Sequence, residues 1–163
     1  EHHGAGGPLG VSNIRDEHPL ATAFIEAAVQ CGYPRNPDFN GASQEGAGHY
    51  QNTMRGGVRS STAAAYLKPA RDRANLNIVS GALATRIVFD GRRATGVEYL
   101  VGNEKHTARA NVEVIASGGA FNSPQLLQLS GLGPAELLRS LGIPVIADLP
   151  GVGDHLKIGR AHV

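Results

Sequence analysis

The residues best placed for chemistry are Ser117-Gly118-Gly119 and the Asn122-Ser123-Pro124 that follows. Two glycines in series permit a tight turn and let another group approach the backbone closely. Ser123 suits the N-cap of a helix, where its hydroxyl accepts a backbone N–H, and Pro124 suits the first helical position. Ahead of them, the β-branched run at residues 112–116 predicts a buried strand. Strand, glycine turn and capped helix together make a place where free N–H groups can meet a phosphate. A strand–turn–helix corner without a ligand satisfies the same pattern.

Other candidates carry less. His49 and Tyr50 could line a cavity, with packing and loop hydrogen bonds as the competing reading. Nothing in the spacing of Asp38 and Glu45 puts both carboxylates on one face, so they read as loop-fixing groups. His2 and His3 lie in a glycine-rich lead and read as loop. Cys31 is alone, which gives no disulfide framework and no metal cluster of cysteines, and permits a reduced compartment. It reads as a small packing residue on an apolar helix face.

The elements that must position these groups follow from periodicity. A helix starts at His18 and ends at Cys31-Gly32, with Leu20, Ala23, Phe24, Ala27 and Ala28 as its core-facing stripe. Residues 33–52 are dense in turn formers. Ser60 or Ser61 caps a second helix through Tyr66 and Leu67, and Pro69 ends it unless a new turn restarts there. The period then changes to strands at 76–79, 83–89, 94–100 and 105–108, with a hairpin at Asp90-Gly91-Arg92-Arg93. This is an antiparallel meander that returns to a central sheet at residue 112. After Gly133, Pro134 opens another helix, Glu136 favours its dipole, and Gly142 ends it. Residues 143–147 read as a strand and Asp148 to Gly153 as a loop.

In bulk the 163 residues are 41% hydrophobic and 18% charged with a formal net charge of +1, so neither nucleic acid nor an acidic membrane surface is an expected partner. No apolar run approaches the roughly 18 residues of a membrane-spanning helix.

The ordered series Gly119-Ala120-x-x-Ser123-Pro124-x-Leu126-Leu127-x-x-Ser130-Gly131-Leu132-Gly133 resembles the second signature of the glucose–methanol–choline (GMC) oxidoreductases. The resemblance runs in order from Gly6-Gly7-Pro8-Leu9 through Asn36-Pro37-Asp38-Phe39-Asn40-Gly41, Gln44-Glu45-Gly46 and Tyr66-Leu67-Lys68-Pro69-Ala70 to Leu149-Pro150-Gly151-Val152-Gly153. It implies an α/β fold with α+β elements. Residues 75–156 are then part of a FAD-binding Rossmann-like domain carrying the meander, and residues 1–74 part of a substrate-side region. Overall pattern is most similar to the choline dehydrogenase-like branch.

What the resemblance implies for function is oxidation of a primary alcohol, choline or another, with hydride transfer to flavin. Oxygen or a respiratory carrier would then reoxidise the flavin. Ala84 matches the position whose main chain meets the adenine of FAD. Ser117, Gly118 and Gly119 should run near the cofactor, and His155 replaces the usual Asn of the P-G-V-G-x-N loop on the flavin side. Arg55, Arg59, Arg71 and Arg73 form a basic surface, solvated or weakly attractive to FAD phosphate or an anionic substrate. The family's base is a histidine near a far C-terminus, and none of His2, His3, His18, His49, His106 or His155 matches its motif, so no catalytic residue is assigned.

The family's G-x-G-x-x-G diphosphate turn is absent from this sequence, which is therefore expected to be an internal piece of a longer polypeptide. Residues 157–163 lack a family counterpart. They match one reading frame of a common sequencing adapter, so native sequence is expected to end near Leu156. A cytoplasmic location is expected. The fold also hosts FAD-containing hydroxynitrile lyases, and an inactive partial domain without cofactor is the other alternative.

Overall fold

The computed structural model describes residues 2–157, which fall into two compact units, Glu1–Asn77 and Ile78–Val163. The expected adapter-derived tail lies, from residue 158 on, outside the described residues.

In the first unit, α1 (Pro19–Gln30) begins where His18 Nδ1 accepts the Leu20 N–H at 3.2 Å and stops at Gly32, whose φ is +93°. The span is the expected one, but the face is not. Ile25 is buried, with Thr22, Ala28 and Val29 half-buried around it, while Leu20 and Phe24 are 73% and 75% exposed. The helix carries two apolar stripes, and the unit packs on Ile25-Ala28-Val29, which also has the i, i+3, i+4 spacing. Cys31 caps the helix and is exposed, not packed as its sequence context suggests.

Residues 33–52 form a loop organised by Asn36, which is buried. Its amide donates to the carbonyls of Ser43 and Glu45 at 2.8 and 3.1 Å, and its Oδ1 accepts the Asp38 N–H at 2.8 Å. Gly48 is required here: a Cβ on it would stand 1.8 Å from the Asn36 carbonyl oxygen. A short hairpin, β1 (Met54–Arg55) and β2 (Val58–Arg59), follows. Ser61 Oγ accepts the Ala64 N–H at 3.2 Å, and a π-helical turn (Ala63–Leu67) leads into α2 (Lys68–Ala70). Pro69 sits in the first turn of α2, where its missing N–H costs little.

In the second unit, β3 (Ala82–Asp90), β4 (Arg93–Val101) and β5 (Glu104–Arg109) form the antiparallel meander in the order β3-β4-β5. Gly91 and Gly102 turn the chain with φ of +56° and +60°. The strand expected at 76–79 does not form; Ile78 and Val79 are 49% and 54% exposed. Nor do residues 112–116 form the expected buried strand. They are unpaired, with Val112 85% and Ile115 77% exposed. β propensity reflects fit to a half-buried pleated surface, and no described residue offers either segment a partner strand.

Helix α3 (Gly119–Leu129) starts at Gly119, not at Pro124, with Gly118 as its N-cap. Ser123 still satisfies a terminal donor, accepting the Gly118 N–H at 2.9 Å from inside the helix. Beyond α3, β6 (Leu132–Gly133) pairs in parallel with β7 (Ala147–Asp148), and α4 (Ala135–Ser140) connects them. The strand expected at 143–147 thus shrinks to β7. Asp148 Oδ1 accepts the Ala135 N–H at 2.9 Å and caps α4, whose Leu138 is fully buried.

Candidate functional site

Ala84 lies on β3, one of the two outer strands of the meander. In an antiparallel ladder, alternate residues turn N–H and C=O toward the partner strand and away from it. The Ile87 N–H faces away from β4, because it donates to Ser130 Oγ at 2.8 Å. Ile87 pairs with Val97, Arg86 with Glu98 and Ala84 with Tyr99, so Thr85 is an extra residue on β3. Its hydroxyl donates to the Glu98 carbonyl at 3.1 Å, consistent with Glu98 facing β3. The bulge shifts the alternation by one, which turns the Ala84 N–H and C=O outward on the free edge. Without it, Ala84 would face its partner strand.

Ser117, Gly118 and Gly119 are exposed and lead into the N-terminus of α3. Gly119 has φ +86°, and nothing stands within 4 Å of where its Cβ would be. Free N–H groups in the first turn of an 11-residue helix, approached through open glycine backbone, suit an anionic or polar group.

The first turns of α3 also face the loop that begins at Pro150. Ala120, Phe121 and Pro124 border an open cavity of about 330 Å³ together with Gly153, Asp154 and Leu156. His155 is next to this cavity in sequence but does not line it. Its φ is +54°, its backbone N–H donates to Asp154 Oδ1 at 2.8 Å, and its imidazole is exposed to solvent. The unit therefore brings Ala120, Phe121 and Pro124 of α3 beside Gly153, Asp154 and Leu156, while Ala84 lies on the edge of β3.

Gln128 is the residue that the sequence reading missed. Its Nε2 donates to the Val152 carbonyl at 2.9 Å, tying α3 to the glycine loop. It occupies an unspecified position of the signature, but it is three or four residues from Gln125, Pro124 and Leu132. That spacing puts it on one face of α3 with Pro124 and Gln125.

In the first unit, His49 and Tyr50 do border a cavity, of about 220 Å³, with Glu17 and Arg35. Tyr50 packs on Phe39 with ring centroids 4.6 Å apart, and His49 Nε2 is 3.6 Å from Glu17 Oε2. Asp38 fixes its loop, accepting from the Asn40 N–H at 3.1 Å, and pairs with His3 at 2.6 Å. The hydrogen bond from His3 holds its carboxyl below the ordinary aspartate range. Glu45 has no such role for its carboxylate; its backbone carbonyl serves Asn36 instead. Among the described residues, no group of three or more His, Cys, Asp or Glu is arranged to hold a metal ion.

The GMC oxidoreductase family profile matches residues 3–160. The chain belongs to the GMC oxidoreductase family. This GMC chain is 52% identical over 161 residues to mitochondrial choline dehydrogenase of Homo sapiens, covering 96% of the chain and 27% of that protein. It is 53% identical to an oxygen-dependent choline dehydrogenase of Pseudomonas putida, covering 28% of it. The chain thus spans little more than a quarter of these relatives. Its fold is similar to that of pyridoxine 4-oxidase from Mesorbium loti, with a TM-score of 0.82, 34% identity, and coverage of 91% of this chain and 29% of that one. A FAD-dependent oxidoreductase from Chaetomium thermophilum gives a TM-score of 0.84 at 33% identity, with 91% and 26% covered. Among the described residues of the GMC chain, no helix is long and apolar enough to cross a membrane.

Proposed function

We propose that the polypeptide containing this chain is a FAD-dependent oxidoreductase that oxidises the CH–OH group of a small alcohol, choline or another primary alcohol. The carrying observation is identity of 52% over 96% of the chain to a protein named choline dehydrogenase. The residues present fit the cofactor. The outward N–H and C=O of Ala84 offer one donor and one acceptor at a free strand edge, the complement of an adenine edge. Ser117, Gly118 and Gly119 supply open backbone at a helix N-terminus. The segment at Gly153–Leu156 supplies a wall facing that helix.

When bound, the flavin supplies the electron-pair acceptor for the alcohol carbon. The part this chain would play is to hold and orient it: Ala84 at the adenine, Ser117–Gly119 along its length, and the glycine loop that leads into His155 on the flavin side. No base for the hydroxyl proton is assigned among these residues. Oxygen or a respiratory carrier would take the electrons onward. The exposed thiol of Cys31 fits a reducing compartment such as the cytoplasm, and the human relative's name places that protein in mitochondria.

Two measurements on the full-length protein test this reading: a stoichiometric flavin spectrum, and its bleaching by alcohols without oxygen. A flavin that stays oxidised with every alcohol but supports cyanohydrin cleavage would overturn it.

A further inference from the structure

We infer that Gln128 is a positioning residue that sets the placement of the glycine loop at residues 150–154, and through it the flavin-side wall of the cavity. The inference rests on the cofactor reading above and adds a residue and a device to it. Gln128 lies on the third turn of α3, and its amide donates to the Val152 carbonyl at 2.9 Å. Among the described residues, no other side-chain hydrogen bond joins α3 to this loop.

Two glycines make room for it. A Cβ on Gly133 would approach Gln128 Cγ to 3.0 Å, and a Cβ on Gly153 would approach Gln128 Nε2 to 2.6 Å. Gly153 also has φ +85°, a conformation that side chains disfavour. The glutamine stem therefore runs between the backbone of β6 and the backbone of the loop, and its amide reaches the Val152 carbonyl. The turn's own bonds are short-range, Val152 N–H to the Leu149 carbonyl at 3.1 Å and Asp154 N–H to the Gly151 carbonyl at 3.3 Å. They shape the loop without attaching it to the helix. Attachment comes from Gln128, which also borders the cavity together with Gly153 and Asp154.

The role of Gln128 runs through the loop that it holds. Losing its donor should let the loop move without unfolding the unit, because the packing of α3 rests on other residues. Loop position would then alter the surroundings of the flavin more than the capture of substrate.

The test uses the full-length flavoenzyme with Gln128→Met, which keeps length and volume but has no donor. Amide exchange of residues 149–156 should rise about tenfold, the scale of one lost hydrogen bond, with exchange in the meander unchanged. The visible flavin spectrum should shift, and kcat should fall several-fold at nearly constant KM. Gly153→Ala, which crowds the same amide from the other side, should give the same spectral shift and serves if the first variant folds poorly. Unchanged exchange in the loop overturns the inference, as does a loosened loop with parent spectrum and parent kcat. A full-length parent protein that holds no flavin would instead refute the cofactor reading before any variant is compared.

Discussion

Ser130 Oγ accepts the Ile87 N–H at 2.8 Å and donates to the Leu126 carbonyl at 2.5 Å. One buried hydroxyl at the end of α3 thereby fastens the outer edge of the meander to the helix. This gives the serine of the family signature a physical task. It also fixes the alternation of β3, from which the outward turn of Ala84 follows.

Replacing Ser130 by Ala leaves the Ile87 N–H in a buried site without its acceptor. The cost should be about 1–3 kcal/mol, read as a lower thermal midpoint of the full-length protein. A midpoint equal to that of the parent would show that water replaces the hydroxyl.

Gly131, next in the signature, has φ +90°, and a Cβ there would meet the Pro144 carbonyl oxygen at 2.4 Å. Gly131→Ala should cost about 1–3 kcal/mol from crowding and a similar amount from backbone strain. Because the Gly131 carbonyl receives the Ile146 and Ala147 N–H groups, exchange at both should accelerate. Protected amides in the variant would contradict this.

Glu98 lies between Lys105 and Arg86, each 2.9 Å from one of its carboxylate oxygens. The Lys105 hydrogen bond, then that of Arg86, holds its carboxyl below the ordinary glutamate value of 4.5. A carboxyl depressed in the folded state adds stability above its unfolded value and loses it as pH falls through the folded one. Meander stability should therefore decline below about pH 4.5 in the parent and less steeply in Glu98→Gln. Amide exchange across β4 at descending pH measures the difference, and parallel profiles would remove Glu98 from the account.

The outward N–H of Ala84 lies outside the ladder, so Ala84→Pro should leave the meander folded. It should weaken FAD binding to the full-length apoprotein by about three- to tenfold, one neutral hydrogen bond. Titration with FAD, with circular dichroism as the control for folding, checks both halves. Unaltered affinity would place the adenine elsewhere.

What the sequence conveyed well was local. Asp90-Gly91 marked the first turn of the meander, and His18 and Gly32 marked the ends of α1, because turn and cap chemistry act within a few residues. What it conveyed poorly depended on partners distant in the chain. The apolar face of α1 was assigned to Leu20 and Phe24, whereas the unit buries Ile25. Residues 112–116 have the composition of an inner strand, yet none of the described residues pairs with them. Ala84 was placed by resemblance alone; the bulge at Thr85, invisible in composition, is what gives it an outward backbone. Gln128 escaped notice because its partner lies 24 residues away.

The chain by itself carries no G-x-G-x-x-G turn, and a dinucleotide's diphosphate normally rests on one. Expressed alone, the 163-residue chain should not retain stoichiometric FAD. A yellow, stoichiometric complex would show that Ala84 and Ser117–Gly119 suffice.

The most direct measurement is anaerobic addition of choline, and of a series of other primary alcohols, to the purified full-length flavoprotein while its visible absorption is followed. The account predicts that at least one of them bleaches the oxidised flavin band, with one aldehyde formed per flavin reduced. A flavin that remains fully oxidised with every alcohol would contradict it.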